Sequence, residues 1–212
     1  RRFEVSQAPT PWTAPQDASD YAADCAQIPS GNVPVFASWA NERPNSEDCL
    51  FLNVWTRGLA DGKKRPVMVW FYGGGLFSGE SNDYDGSKLA SRGGVVVVTF
   101  NFRVGALGFL SHPAINAEGH PFANYGIMDQ QFALRWVQRN IAAFGGDPGN
   151  VTIFGQSGGG TAVMANLQSP LSKGLFHKAI NQSGTRIALT TPAGAFYAFF
   201  AIDGQFETFL TV

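Results

Sequence analysis

The feature that most restricts the fold is an unbroken run of four valines at positions 95–98. A strand with no polar residue on either face is typical of the centre of a parallel sheet that helices cover on both sides. Other apolar runs predict further strands, and the full set is 51–55, 67–71, 95–100, 151–154 and 179–182. The clearest helical pattern spans residues 126–144 and ends at two glycines. We therefore expect an α/β protein with a mostly parallel sheet flanked by helices.

A serine motif follows the strand predicted at 151–154. Residues 155–159 read G-Q-S-G-G, which matches G-x-S-x-G with Ser157 at its centre. Small neighbours suit a tight turn that lifts a hydroxyl clear of the sheet, and residues 160–168 predict the helix behind it. The pattern occurs often by chance, so the strand before it and the helix after it carry the prediction. We expect Ser157 to be a catalytic nucleophile.

A glycine run follows the strand predicted at 67–71. Residues 73–75 are all glycine, so their backbone amides are uncovered. Acyl transfer through a tetrahedral intermediate needs donors aimed at the developing oxyanion. Such donors come from a loop of this kind and from the residue after the nucleophile, which here means Gly74, Gly75 and Gly158. Taken alone, the run could equally be a simple turn.

The chain resembles the type-B carboxylesterase family, which includes the cholinesterases and has the α/β-hydrolase fold. The stretches that carry the resemblance are 46–55, 70–75, 101–110 and 125–160. The resemblance extends from about Arg2 to Thr185, whereas residues 190–212 show no family pattern and stay unassigned. Family members are roughly twice as long or more. We therefore expect residues 1–212 to form the N-terminal part of such a domain, with an incomplete sheet.

The resemblance also implies a triad in the order serine, acid, histidine. We expect the acid and the histidine beyond Val212, so this chain alone should be inactive. His112 and His120 each precede a proline in a predicted loop. His177 is the only histidine after Ser157, and the carboxylates that follow it are Asp203 and Glu207. That gives the order serine, histidine, acid, which is wrong for this fold, so we interpret His177 as structural.

Two cysteines and two charge pairs are assigned by the same resemblance. Cys25 and Cys49 should form a disulfide, which would indicate a secreted or lumenal protein. Two buried thiols in a reducing cell are the alternative. The charge pairs should be structural, because burying either charge alone is costly, and we expect bidentate contacts. They are Arg2 with Glu47 and Arg103 with Asp129.

Substrate clues are weaker. The spacing of Trp39 matches that of the choline-binding tryptophan of cholinesterases, and an indole face attracts quaternary ammonium groups. Gln156 stands where the family usually has glutamate, which removes a negative charge beside the nucleophile. Trp39 is equally compatible with a packing role. We therefore predict a general small-molecule carboxylic ester as substrate.

Composition narrows the possible partners. The formal net charge is −1, with no basic cluster to indicate a nucleic-acid partner. No apolar run reaches the length of a membrane span. We predict neither a cofactor nor a metal, and the oligomeric state stays open.

The sequence thus indicates a serine ester hydrolase acting through an acyl-enzyme. The alternative is a non-catalytic, cholinesterase-like adhesion or scaffold protein such as the neuroligins.

Overall fold

One central sheet organises the molecule. The structure is a computed structural model, and it describes residues 2–27, 44–59, 61–119, 123–184 and, as backbone alone, 207–211. The strands are β1 (Asp24–Cys25), β2 (Asn45–Ser46), β3 (Leu52–Trp55), β4 (Arg65–Phe71), β5 (Val96–Phe100), β6 (Gly146–Gln156), β7 (Lys178–Gln182) and β8 (Glu207–Thr211). The helices are α1 (Ser87–Gly93), α2 (Gly105–Phe109), α3 (Pro113–Asn116), α4 (Tyr125–Asn140) and α5 (Gly158–Gln168). Short 3-10 turns cover Ser81–Asp83, Ile141–Phe144 and Pro170–Ser172.

The sheet is mostly parallel, as the sequence predicts. Its strand order is β3-β5-β4-β6-β7-β8, and β5, β4, β6 and β7 run parallel to one another. The edge strands β3 and β8 are antiparallel to their neighbours. Val67 of β4 aligns with Val96 on one side and with Val151 on the other. The carboxyl ends of β4 and β6 therefore lie side by side, and this places their following loops together.

The valine run accounts for the covered sheet. All five residues of β5 are buried, which fits a strand packed on both faces. In β4 the side chains of Val67, Val69 and Phe71 are fully buried and alternate with more exposed residues. Phe71 meets Phe100 edge-on, with ring centroids 5.1 Å apart, which extends the core across the neighbouring strands. Leu134 and Val137 of α4 belong to the same apolar cluster.

Two predicted boundaries were wrong. The predicted helix 126–144 is α-helical only to Asn140, and it continues as a 3-10 turn that ends at Gly145, with φ +76°. The strand predicted to begin at residue 151 begins at Gly146. Its pairing with β4 jumps from Arg65↔Gly146 to Val67↔Val151, so β6 carries extra residues in an irregular bulge. Pro148 lies in that bulge, where it costs no ladder hydrogen bond.

The Cys25–Cys49 disulfide is present. It lies beside the short pairing of β1 with β2, in which Cys25 aligns with Ser46. The bond closes a loop with a sequence separation of 24 residues. Such a closure restricts the unfolded chain and stabilises the fold by roughly 3 kcal/mol in the chain-entropy model.

The two charge pairs differ from each other. Arg103 contacts both carboxylate oxygens of Asp129, Nε to Oδ2 at 2.8 Å and Nη2 to Oδ1 at 2.7 Å, and the Asp129 side chain is 1% exposed. The Arg103 guanidinium also donates to the Glu4 carbonyl, which fixes the N-terminal segment onto α4. The expectation of a bidentate pair was wrong for Arg2 and Glu47. Both Arg2 donors reach the same oxygen, Oε1 of Glu47, and the side chains are 64% and 46% exposed.

Candidate functional site

Ser157 occupies the turn between β6 and α5. Its backbone has φ 55° and ψ −122°, a combination that non-glycine residues rarely adopt. Its amide donates to the Gln182 carbonyl at the end of β7, with a distance of 2.8 Å. The side chain is half-buried at the carboxyl edge of the sheet. The strained turn is thus held by β7, and Ser157 is the residue immediately before α5.

Glycine residues, which have no β-carbon, allow α5 to begin close to the sheet. A β-carbon built on Gly159 would overlap the Phe71 carbonyl oxygen and lie 2.7 Å from the Tyr72 carbonyl oxygen. One on Gly155 would lie 2.6 Å from the carbonyl of Gly159. Only glycine tolerates these contacts, because the colliding atoms are backbone atoms. The glycines around Ser157 therefore fix the start of α5 directly against the end of β4.

The glycine loop after β4 lies against this turn. A β-carbon on Gly73 would be 3.4 Å from Cβ of Ser157, and one on Gly158 would be 2.7 Å from the amide nitrogen of Gly75. Gly74 and Gly75 have φ of +106° and +64°. No hydrogen bond from their amides, or from that of Gly158, is seen among the described residues. The three predicted donors thus cluster beside Ser157.

The N-terminus of α5 adds to the positive potential there. The first N–H groups of an α-helix have no partner within the helix, and the helix dipole is positive at this end. α5 has 11 residues and starts at Gly158. The uncovered amides and the helix N-terminus therefore both contribute positive potential beside Ser157.

Tyr72 anchors the start of the glycine loop through its contacts with Phe102. Its ring stacks on Phe102, with centroids 4.2 Å apart and planes 9° from parallel. Its hydroxyl donates to the Phe102 carbonyl at 2.9 Å and accepts from the Phe102 amide at 3.3 Å. Burial raises the pKa of Tyr72 well above its ordinary value, so the hydroxyl stays protonated. The sequence analysis did not predict this anchoring role for Tyr72, although its place directly before Gly73 was a usable signal.

The histidines in the described part of the chain, His112 and His177, each accept a hydrogen bond from a backbone amide. His177 pairs with Val151 in the middle of β6, where the Val151 amide donates to Nδ1 of His177 at 3.1 Å and the His177 amide donates to the Val151 carbonyl at 2.8 Å. Ser157 lies six residue steps beyond Val151 along the extended chain, about 20 Å at roughly 3.3 Å per residue. His112 accepts from the Ala114 amide and caps α3. His120 and Trp39 lie outside the described residues, so the role suggested for Trp39 stays a prediction.

Two further observations concern the described residues alone. They contain no group of three or more histidine, cysteine, aspartate or glutamate side chains that could hold a metal ion. Within the same ranges, no helix combines the length and the apolar character that a membrane crossing requires.

A parallel sheet covered by helices, with a strained serine between strand and helix and bare amides beside it, defines an α/β hydrolase. The sequence profile described as "Carboxylesterase family" matches residues 1–195. The chain therefore belongs to the carboxylesterase family.

Similar proteins carry hydrolase names. The chain is 45% identical over 194 residues to "Fatty acyl-CoA hydrolase precursor, medium chain" of Anas platyrhynchos, covering 89% of this chain and 34% of that protein. It is 47% identical to "Carboxylesterase 4A" of Bos taurus over 88% of this chain and 34% of that one. Among solved structures, a thermophilic PNB esterase superposes with a TM-score of 0.79 at 42% identity, covering 87% of this chain and 37% of that chain. This chain spans about a third of the length of the curated relatives.

Proposed function

We propose that the protein hydrolyses carboxylic esters of small molecules through a covalent acyl-enzyme on Ser157. In the first step the Ser157 hydroxyl attacks the ester carbonyl and the alcohol leaves. The amides of Gly74, Gly75 and Gly158 stabilise the oxyanion of each tetrahedral intermediate. Water then attacks the acyl-serine and releases the carboxylic acid, which restores the hydroxyl.

The observation that carries this proposal is the contact between the two loops. A nucleophile and its oxyanion donors must surround one carbonyl carbon, so they must lie within a few ångströms of each other. Gly158 lies directly against the Gly75 amide, and Gly73 lies against the Ser157 side chain. The family membership and the hydrolase names of the relatives support the same reaction class.

The general base is expected from residues beyond Val212. His177 is held beside Val151, about 20 Å along the chain from Ser157, so an isolated chain of these 212 residues should leave Ser157 a weak nucleophile. We expect it to hydrolyse nitrophenyl esters no faster than its Ser157→Ala variant. A Ser157-dependent rate from the isolated chain would contradict the assignment of the base to a later segment.

The decisive experiment labels the full-length protein that contains this chain with a fluorophosphonate. The reagent should add one phosphonyl group to Ser157, located by peptide mass spectrometry, and abolish hydrolysis of nitrophenyl acetate. Ser157→Ala should lose both the label and the activity. The control is Ser183→Ala, which removes another serine with positive φ, 54°, just beyond the end of β7, and which should keep the label. An unlabelled full-length protein would favour the adhesion or scaffold alternative.

We also propose a secreted or lumenal location. The Cys25–Cys49 bond needs an oxidising compartment to persist. The word "precursor" in the name of one relative agrees with this. Quantitative thiol alkylation of the protein taken directly from its cells tests the idea, since two alkylated cysteines would contradict it.

A further inference from the structure

The side chain of Phe77 projects beside the candidate site. Phe77 is 52% exposed, although it follows a buried strand closely. The ring edge packs against Gly75, because a β-carbon built on Gly75 would lie 3.3 Å from Cδ2 of Phe77. Gly75 in turn lies against Gly158. Phe77 therefore lies directly against Gly75, one of the three proposed oxyanion donors.

The backbone that carries Phe77 is fixed on both sides. The amides of Phe77 and Ser78 both donate to the Gly74 carbonyl, at 3.0 and 3.2 Å. The Leu76 carbonyl accepts from the Gly105 amide at 2.7 Å, which attaches the turn to the start of α2. Leu76 itself has φ of 65°. A turn held this way presents the ring at a constant position relative to Gly75.

We propose that Phe77 is a specificity-determining residue, whose ring forms an apolar wall for one substituent of the ester carbonyl. This inference rests on the proposed function. A carbonyl whose oxygen points at the Gly75 amide must direct its acyl and alcohol groups to either side of that amide. The ring against Gly75 therefore meets one of the two groups. The Phe77 ring excludes water from an alkyl or aryl substituent there, and it provides no charge to interact with a polar substituent.

The expected effect follows from apolar transfer. A methylene that leaves water for an apolar contact contributes a factor of about four to kcat/KM. In the full-length protein, kcat/KM should rise with chain length in one of two series. One series is nitrophenyl acetate to hexanoate, which varies the acyl group. The other is ethyl to hexyl acetate, which varies the alcohol.

Three variants test the wall. Phe77→Ala should flatten the chain-length dependence in that one series, while kcat/KM for the smallest ester stays within about threefold of the parent. Phe77→Leu should retain most of the dependence, because it keeps an apolar side chain. Leu171→Ala removes another exposed apolar side chain, 67% exposed and located beyond the far end of α5, and should change neither series.

A binding experiment separates this inference from the proposed reaction. In a Ser157→Ala background, calorimetry would measure the Kd of nitrophenyl hexanoate and of hexyl acetate with and without the additional Phe77→Ala change. If Phe77→Ala weakens the binding of one ester by about fourfold or more, the wall is supported even if the parent hydrolyses neither ester. Absence of hydrolysis would contradict the proposed function alone. If Phe77→Ala leaves the Kd of both esters unchanged, the wall is overturned. An equal loss of affinity for short and long esters, together with a lower unfolding midpoint, would overturn it too.

Discussion

The contact between Gly159 and the end of β4 allows a sharp test of the site's construction. In Gly159→Ala the new methyl group would overlap the Phe71 carbonyl oxygen and lie 2.7 Å from both the Phe71 carbonyl carbon and the Tyr72 oxygen. Ordinary van der Waals contact begins at 3.4 Å, so α5 and β4 must separate by at least the difference, about 0.7 Å. These atoms belong to the backbone and cannot rotate away.

The expected cost is at the upper end of the range for overpacking, about 3 kcal/mol in the free energy of unfolding. Activity should fall further than stability, because the separation moves Ser157 away from the Gly74 and Gly75 amides. A misplacement approaching 1 Å costs about 100-fold in rate. The matched control is Gly93→Ala at the end of α1, whose β-carbon would lie 3.6 Å from Leu89 and Val95 in ordinary contact.

The assay is urea unfolding of the full-length protein, followed by circular dichroism, together with kcat/KM on nitrophenyl acetate. Gly93→Ala should leave stability unchanged or raise it by about 0.5 kcal/mol, since alanine restricts the unfolded chain. If Gly159→Ala matches Gly93→Ala in both stability and rate, the close seating of α5 on β4 is wrong. The proposed approach of the two loops would then fail with it.

Three other predictions concern the frame around the site. Tyr72→Phe should lower the free energy of unfolding by about 2 kcal/mol, because it orphans the buried carbonyl and amide of Phe102; an unchanged urea midpoint would contradict this. Asp61→Asn should lower the urea midpoint near neutral pH, since the Arg65 guanidinium lowers the pKa of Asp61 from 3.8 to about 2. That folded-state pKa lies below the unfolded value, so the parent's advantage should shrink as the pH falls from 3.8 toward 2, and a pH-independent difference would refute the ion pair's role. Reducing the disulfide should cost roughly 3 kcal/mol, measured by urea unfolding with and without reductant; coincident curves would show that the bond contributes nothing.

The centre of the sheet was predictable because its sequence signals are local. The β4 and β5 runs contain enough consecutive apolar residues to identify buried parallel strands, and β6 is recognisable from residue 151 onward. The serine turn and the glycine run stand directly after two of these strands. Since the carboxyl ends of parallel strands lie at one edge, their proximity also followed from the strand assignment.

The missed features depend on contacts between distant residues. The sequence analysis did not predict α1, α2, α3 or β8, because each is a short segment whose own propensity is weak. α2, for example, begins where Gly105 donates to Leu76, a residue from another loop. The early start of β6 was missed for a similar reason, because Pro148 and Gly149 read locally as a turn. Phe77 was overlooked because its importance lies in where the ring is exposed.

The oxyanion donors proposed here are main-chain groups, so no substitution other than one to proline deletes them directly. An added β-carbon or a changed loop length can disable them, whereas the residues that surround them can vary. On the two proposals made here, a change at Phe77 alters which esters are preferred while the reaction itself persists.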